Sequence, residues 1–400
     1  MKPILLLVHR LPYPPNKGDK IRSYHLLKFL RQHRDVYLGT FIDDPNDWQY
    51  VETVKDLCTA LFVLPRRKHY QAIPGFAKSI FKDTPLSNDL FYQPKMQKWV
   101  DKILSEKQID DSIVFSSSMG QYIQKHKRNL NILIDFVDVD SLKWEQYSQQ
   151  HKGIKKWLYK REGKTLSYFE RKLAITSDVN IFVSESEANI FKKRSGLFKN
   201  VISIANGVDT EYFNPSIEFK NPYVNKEFKI VFTGMMDYWP NIDAVKWFVT
   251  EVIPALQQQS IPFSFYIVGA NPSLDLQMLA QIPQIRITGR VEDIRPFLKY
   301  ADLAVAPLRI ARGIQNKVLE ALSMNTPIMV STAALEGIEL PQNNLVKIAN
   351  EKNEWIHQIQ TLMNQSNRPS VNSHVVIEQC YAWNNKLEPL IQYLDANDDK

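Results

Sequence analysis

Short apolar runs alternate with amphipathic stretches along nearly the whole chain. The runs at 3–10, 36–42, 60–64, 113–117, 132–137, 179–183 and 201–204 lack the strict apolar/polar alternation of a half-exposed strand. They have the character of strands buried on both faces of a parallel sheet. Helices are predicted between them. One opens at Gly18-Asp19 and carries Ile21, Leu26, Leu27 and Leu30; others lie within 66–105, broken near Pro74-Gly75 and Pro85; a long basic one covers 151–172. Another spans 184–193, where Ser184 and Glu187 have the spacing of a capping box. A second series begins at Phe228, with strands at 229–234, 264–269, 285–288, 303–308 and 327–331 and helices over 241–256, 292–300 and 314–324. A helical tail over 351–395 closes the chain. Strand and helix alternate in both halves, so the pattern predicts an α/β protein with two doubly wound parallel sheets. Residues 209–227, with Pro215, Pro222 and few aliphatics, read as the linker between a domain of 1–208 and one of 228–375. Residues 376–400 are expected to form a terminal helix returning to the first domain.

The stretch 305–337 concentrates candidate chemistry. A buried strand ends in the basic loop 309–313, a helix begins near Ile314, and Pro327 prevents its continuation. Ile314, Val318, Ala321 and Leu322 share one helical face, which predicts its burial. Asn316, Lys317 and Glu320 fall on the other side. Gly313 permits close backbone approach where free N–H groups favour a phosphate. Arg309, Arg312 and Lys317 add positive charge there, and Glu320 can accept hydrogen bonds from a diol such as ribose. An exposed Lys317–Glu320 pair of purely local effect is the alternative.

Two other strand ends carry polar groups. After the first strand, the loop containing Lys17, Gly18 and Asp19 leads into a helix with Lys20 and Arg22. That loop can bind an anion or simply start a helix. After 132–137 come Asp135, Asp138 and Asp140, which fit a metal site, a catalytic cluster or helix capping, with Asp140 or Ser141 as the cap. No GxxxxGK[ST] phosphate loop accompanies them, which argues against Mg²⁺ chemistry. No GxGxxG follows any strand, so a nicotinamide or flavin site is not expected.

Composition narrows the class. With 400 residues, 44% hydrophobic and 23% charged, the chain is sized for two or three globular domains. Cys58 and Cys380 form neither a disulfide framework nor a zinc motif. The apolar N-terminal run is too short to span a membrane and reads as a strand; a cytoplasmic location follows as an expectation. The net charge of +7 favours anionic partners. Much of the excess lies at 155–164, where Lys155, Lys156, Lys160, Arg161 and Lys164 mix with Trp157, Leu158 and Tyr159. Such a helix can lie on an anionic membrane surface, or its aromatics can pack inward. The basic residues form no recognised nucleic-acid module.

Several ordered motifs together resemble the retaining, nucleotide-sugar-dependent glycosyltransferases of family 4. They are IANGVDTEYFNP at 204–215, VFTGMMDYWPN at 231–241, FYIVG at 265–269, ITGRVEDIRPFLKYADLAVAPL at 287–308 and GIQNKVLEALSMNTPIMVS at 313–331. LPYPPNKGDKIRSYHLL resembles the family's first loop and helix. DFVDVDS and WPN are similar to exopolysaccharide-associated bacterial sugar transferases. The resemblance implies the GT-B fold, two Rossmann-like domains facing a central cleft. It implies a nucleotide-diphosphate sugar donor in the second domain, a saccharide or lipid-linked acceptor in the first, and no metal or other cofactor. Glu320 matches the ribose-binding glutamate and the Gly313–Ile314 helix start the diphosphate site. Gly234 and Arg290 join them on the donor side. On the acceptor side, Asp138, with Asp135 behind it, stands where the family carries a catalytic-site His or Asp; Lys17, Gly18 and Asp19 form a phosphate or acceptor loop. The resemblance also admits docking on the inner membrane face.

The chain departs from the family pattern at two places. The family's Glu-x₇-Glu has Arg312 at its first position here, and Met235 and Pro240 stand where an Arg and a Lys are usual. Arg309, Arg312 and Lys317 are therefore expected to supply the displaced charge, with Arg312 counted among the catalytic residues. A catalytically degenerate GT-B subunit and a sugar-nucleotide 2-epimerase are the alternatives.

Overall fold

The computed structural model describes residues 1–67, 79–81, 83–127, 130–258, 261–311, 313–341, 346–365 and 372–395. It divides into two compact units, Met1–Ala205 with Leu387–Lys400, and Asn206–Lys386.

The first unit is built on seven parallel strands: β1 (Pro3–Val8), β2 (Asp35–Ile42), β3 (Ala60–Pro65), β4 (Asp111–Phe115), β5 (Asn131–Val137), β6 (Val179–Phe182) and β7 (Val201–Ser203), in the order β3-β2-β1-β4-β5-β6-β7. Ile4 to Val8 are fully buried, which explains their unbroken hydrophobicity. Among its helices are α1 (Gly18–His33), α2 (Leu86–Phe91), α3 (Asp140–Gln150), α4 (Gly153–Thr176) and α5 (Glu185–Ser195). Asn131 donates to the Tyr393 carbonyl at 3.0 Å, and Arg34 pairs with Asp395, so the end of the chain packs on this unit. Of the broken helical region expected at 66–105, residues 68–78 and 82 lie outside the described residues.

The second unit has six parallel strands: β8 (Phe228–Thr233), β9 (Phe263–Val268), β10 (Ile285–Gly289), β11 (Leu303–Ala306), β12 (Ile328–Val330) and β13 (Val346–Ile348), ordered β10-β9-β8-β11-β12-β13. The short edge strand β13 went unseen in the sequence, because only Val346 of its three residues is buried and no apolar run marks it. The helix expected over 241–256 is α6 (Trp239–Trp247), followed by a π-turn at Phe248–Val252 and a short helix Ile253–Gln257. Pro254 has no N–H to give the preceding turn, which explains a change of winding there. Two further helices bear on the site, α7 (Arg295–Lys299) and α8 (Asn316–Ser323).

Charge is deeply buried in the first unit. Arg22 on α1, 1% exposed, meets Asp135 on β5 at 2.7 Å, and Lys20 meets Asp47 at 2.5 Å. The two α1 cations are thus committed inside the protein rather than presented to an anionic ligand, as the sequence suggested for them. Asp135 ties helix to sheet and accepts the Val137 N–H at 3.1 Å; it is not a carboxylate standing open behind Asp138. Removing one member of such a pair strands the other without water, at a cost of about 3–5 kcal/mol. Arg22→Met should therefore lower stability by roughly that amount in denaturant unfolding, and Arg22→Met with Asp135→Leu should restore most of it.

Candidate active site

In each sheet the strand order reverses once, between β1 and β4 in the first unit and between β8 and β11 in the second. Helices diverge at such a point and leave a crevice beyond the carboxyl ends of the strands.

In the second unit two glycines shape the crevice. Gly234 follows β8 and Gly269 follows β9. A Cβ on Gly269 would lie 1.7 Å from the Gly234 carbonyl oxygen, so the two backbones touch where no side chain fits. A Cβ on Gly234 would lie 2.7 Å from the Asn241 amide nitrogen and 3.2 Å from Lys317 Nζ. Asn241 connects the parts: its amide donates to the Met235 carbonyl at 2.8 Å, and its Oδ1 accepts from Lys317 Nζ at 2.6 Å. The same ammonium sits 4.1 Å from the Phe232 ring centroid, a cation–π contact. Lys317 therefore turns toward the strand end instead of ending in an exposed pair with Glu320. Protein atoms crowd the two groups although part of each residue's surface stays open. Burial pushes the Lys317 ammonium down to about 7, against the pull of Glu320. Burial likewise pushes Glu320 up to about 7, with Lys317 opposing.

The remaining donor-side candidates are placed as follows. Gly313 has φ +65°, a conformation that favours glycine, and Ile314 is buried beneath it. The helix begins at Asn316, two residues later than expected, with Gln315 at the cap. Asn316 has a buried Oδ1 without a hydrogen-bond partner, at the first turn of α8. Arg290 is exposed, just after Gly289. Arg309 is also exposed, but its guanidinium is held by Asp243 of α6, with Nε 2.9 Å from the carboxylate. Arg312 lies outside the described residues. Phe232 and Asn241 lie in the VFTGMMDYWPN motif but were given no role there, and Asp243 was not singled out. Phe232 reads as ordinary core, and a link from Asn241 to Lys317, 76 residues apart, leaves no local trace.

In the first unit the reversal brings His9 and Arg10, after β1, to the start of α1. Asp19 accepts from Arg10 Nη1 at 2.6 Å and lies 3.3 Å from His9 Nε2. Burial works against its charge, but His9 and Arg10 hold it well below the usual carboxylate range. The His9 ring stacks on Phe115 at 5.8 Å. Lys17 and Gly18 are exposed, and nothing lies within 4 Å of a Cβ built on Gly18, so its freedom is not needed for packing.

The aspartate cluster after β5 is divided. Asp138 binds Lys143 at 2.7 Å and Asp140 binds the same ammonium at 3.1 Å. Neither Asp140 nor Ser141 caps α3; the cap position is Val139, which has no side-chain cap. The job falls to carboxylates from distant helices. Glu187 accepts from the Val139 N–H at 2.8 Å. Glu170 accepts from the Ser141 N–H and hydroxyl at 3.1 and 2.6 Å, and burial pushes it up to about 8. Among the described residues no group of three or more His, Cys, Asp or Glu side chains has the geometry to hold a metal.

Residues 227–365, which contain the whole second-unit constellation, match the family described as "Glycosyl transferases group 1". No match is found among curated protein sequences. Similar solved structures span both units. Alr3699/HepE of Anabaena, in complex with UDP, is 14% identical, with a TM-score of 0.63 and coverage of 99% of this chain and 100% of that one. Sucrose-phosphate synthase of Thermosynechococcus elongatus is 15% identical, with a TM-score of 0.67 and full coverage of both chains. A glycosyltransferase of Rickettsia africae is 12% identical, with a TM-score of 0.68 and coverage of 100% and 99%. The fold is GT-B, with two parallel-sheet α/β domains.

The backbone contact at Gly269 is the site's tightest constraint. Gly269→Ala forces the ends of β8 and β9 apart, and overpacking of this kind costs about 1–3 kcal/mol or more. The expected result is a thermal midpoint lower by several degrees, measured by differential scanning calorimetry, whereas Gly18→Ala, in open space, leaves it unchanged.

Proposed function

We propose that this chain transfers a sugar from a nucleoside-diphosphate donor to a saccharide or lipid-linked acceptor, with retention, in the synthesis of a bacterial polysaccharide or glycoconjugate. One observation carries the reading. At the strand-order reversal of the second unit, Lys317 is pinned by Asn241 and Phe232 one turn before Glu320. The group 1 glycosyl transferase match over 227–365 supports it, as does the UDP or UDP-glucose bound by the structurally similar HepE.

The roles follow from the chemistry. The donor's anomeric C–O bond breaks, and its electron pair leaves with the terminal phosphate oxygen of the diphosphate. Lys317 and the free N–H groups at the start of α8 face that developing charge, and fixed donors of this kind need no reorganisation as it grows. Glu320 accepts from the ribose hydroxyls. Arg312 and Arg309 supply the charge that Met235 and Pro240 cannot; Arg309 first leaves Asp243, whose hold on an exposed guanidinium is weak. Asp138, held 2.7 Å from Lys143, takes the acceptor's hydroxyl proton.

Incubation with UDP-, GDP- and ADP-sugars should reveal slow hydrolysis of one donor. Silence across that set would favour a degenerate subunit. Lys317→Ala and Arg312→Ala are each expected to lower turnover on the order of 10- to 100-fold, the range for removing one charge-stabilising donor being near 10²–10³. Unchanged rates in both would end the displaced-charge idea. The pH dependence has a definite sign. A Lys317 that titrates near 7 is mostly neutral at pH 8 in the free protein. A diphosphate stabilises its charged form, so binding should take up about one proton at pH 8 and weaken as pH rises above 7. Calorimetry in buffers of different ionisation enthalpy measures that uptake.

We further propose that α4 rests on an anionic membrane. Trp157 and Tyr168 are 56% and 71% exposed, while Lys155, Lys156, Lys160 and Lys164 are exposed around them. Trp157, Lys160, Lys164 and Tyr168 follow a helical stripe. Tyr159 instead packs against Trp144, so the aromatics are divided between inward and outward faces. No described helix is long and apolar enough to cross a membrane. The protein should sediment with phosphatidylglycerol vesicles at low salt, and not with phosphatidylcholine vesicles. Exchange of the four lysines for Glu should abolish the effect.

A further inference from the structure

Beyond the crevice, one aromatic ring is held in a way that core packing does not require. Tyr212 lies in the segment that enters the second unit. Its neighbour Phe213 is buried, and the Phe213 carbonyl accepts from Ser323 at the end of α8 at 2.8 Å. Its own N–H donates to Asp209 at 3.0 Å. The backbone is therefore fixed while the ring points outward, 41% exposed.

Beneath that ring lies Arg295, with its guanidinium carbon 3.7 Å from the Tyr212 centroid and 4.9 Å from that of Phe219. Asp293 grips the guanidinium through Nε at 3.0 Å and Nη2 at 2.7 Å, and Nη1 donates to the Tyr212 carbonyl at 3.0 Å. Every part of Arg295 is thus engaged within the protein. It serves as a rigid backing to the ring and is not offered to a ligand phosphate. With one face on Arg295 and one edge against Phe213, what remains on display is an aromatic face.

Its position is informative. The Tyr212 hydroxyl lies 3.4 Å from Asp293, in the loop that follows β10 and Arg290. The Ser323 bond to the Phe213 carbonyl ties this segment to α8 one turn beyond Glu320, so the backbone next to Tyr212 is anchored on the helix that carries that carboxylate. Along a bound nucleotide the order is diphosphate, ribose, base. In the second unit α8 carries Lys317 and Glu320 in that order and then Ser323, which holds the backbone next to Tyr212.

We propose that Tyr212 is the stacking platform for the donor's nucleobase, preorganised by Arg295 and Asp293. The inference rests on the donor site proposed above. Aromatic faces hold bases by stacking, and a ring already fixed from below loses little freedom on binding. Such a platform supplies affinity without choosing among bases, since every base has a π-face.

Calorimetric titration of UDP, GDP, ADP and inorganic pyrophosphate into the wild type, Tyr212→Phe and Tyr212→Ala tests it. Tyr212→Ala should weaken the tightest nucleotide on the order of 10- to 100-fold, Tyr212→Phe should keep wild-type affinity, and pyrophosphate should bind all three equally. Unchanged nucleotide affinity in Tyr212→Ala would overturn the platform alone. So would an equal loss for pyrophosphate, which would mean general damage to the site. No binding of any nucleotide by the wild type would overturn the donor site and the platform with it.

Discussion

A parallel sheet must be covered on both faces by its crossover helices, and where the strand order reverses those helices leave in opposite directions. Nothing in the sheet itself can close the gap this opens at the strands' carboxyl ends. Both units of this protein meet that constraint, at β1/β4 and β8/β11, and each fills it differently. The first unit lines the gap with His9, Arg10 and Asp19, already paired among themselves. The second brings a glycine backbone contact, an amide and an enclosed lysine to the same kind of place. That contrast is why the donor chemistry is assigned to the second unit. A crevice whose charges are mutually satisfied has less to offer a diphosphate than one with a lysine whose charge burial disfavours.

Charge in the first unit mostly serves architecture. Arg22–Asp135 and Lys20–Asp47 join α1 to its surroundings. Glu162 accepts from the backbone N–H groups of Leu86 and Ser87 at 2.8 Å, at the start of α2. Glu170 and Glu187 serve the segment that starts α3 in the same way. Helix N-termini need acceptors, and here three carboxylates from α4 and α5 supply them across the fold. Each is buried, so removing one leaves N–H groups without water or partner. Acid clusters in this part of the chain are therefore poor guides to catalysis; Asp138 and Asp140 differ from the buried carboxylates in keeping an opening to solvent.

The legibility of the sequence followed the range of each interaction. Strands such as β1 and β11 announce themselves through runs of local hydrophobicity, and α8 through its apolar stripe. The two parallel-sheet α/β units and the glycine-led helix start before Glu320 were readable for that reason, whereas the GT-B fold was implied by the resemblance of the ordered motifs. Partnerships across the fold were not. Nothing near Arg22 says that Asp135 waits 113 residues away, and nothing near Arg309 announces Asp243. Those two arginines looked alike as cations in basic loops or helix starts; one is sealed in the core and the other is an exposed guanidinium held by a largely covered carboxylate. The π-turn before Pro254 was missed for a different reason, since five residues are too few to carry a period, and β13 because only one of its three residues is buried.

The displacement of charge around Lys317 changes its meaning once these partners are known. Arg309 arrives with Asp243, so the pair adds no net charge to the crevice and holds a cation in reserve. Lys317 arrives without an ion pair to Glu320, its ammonium resting on an amide oxygen and an aromatic face. Both contacts favour a cation, yet burial outweighs the pull of Glu320 and pushes Lys317 down to about 7. A diphosphate would reverse that balance, replacing lost hydration with two phosphate charges. Under the proposed reading, that gain would favour an anion over a neutral sugar. The glycosyltransferases that the motifs resemble carry an additional arginine and lysine after the first strand of this domain. Here Asn241 and Phe232 hold one lysine beside the glycine contact, and under the proposed reading it does the work of several cations.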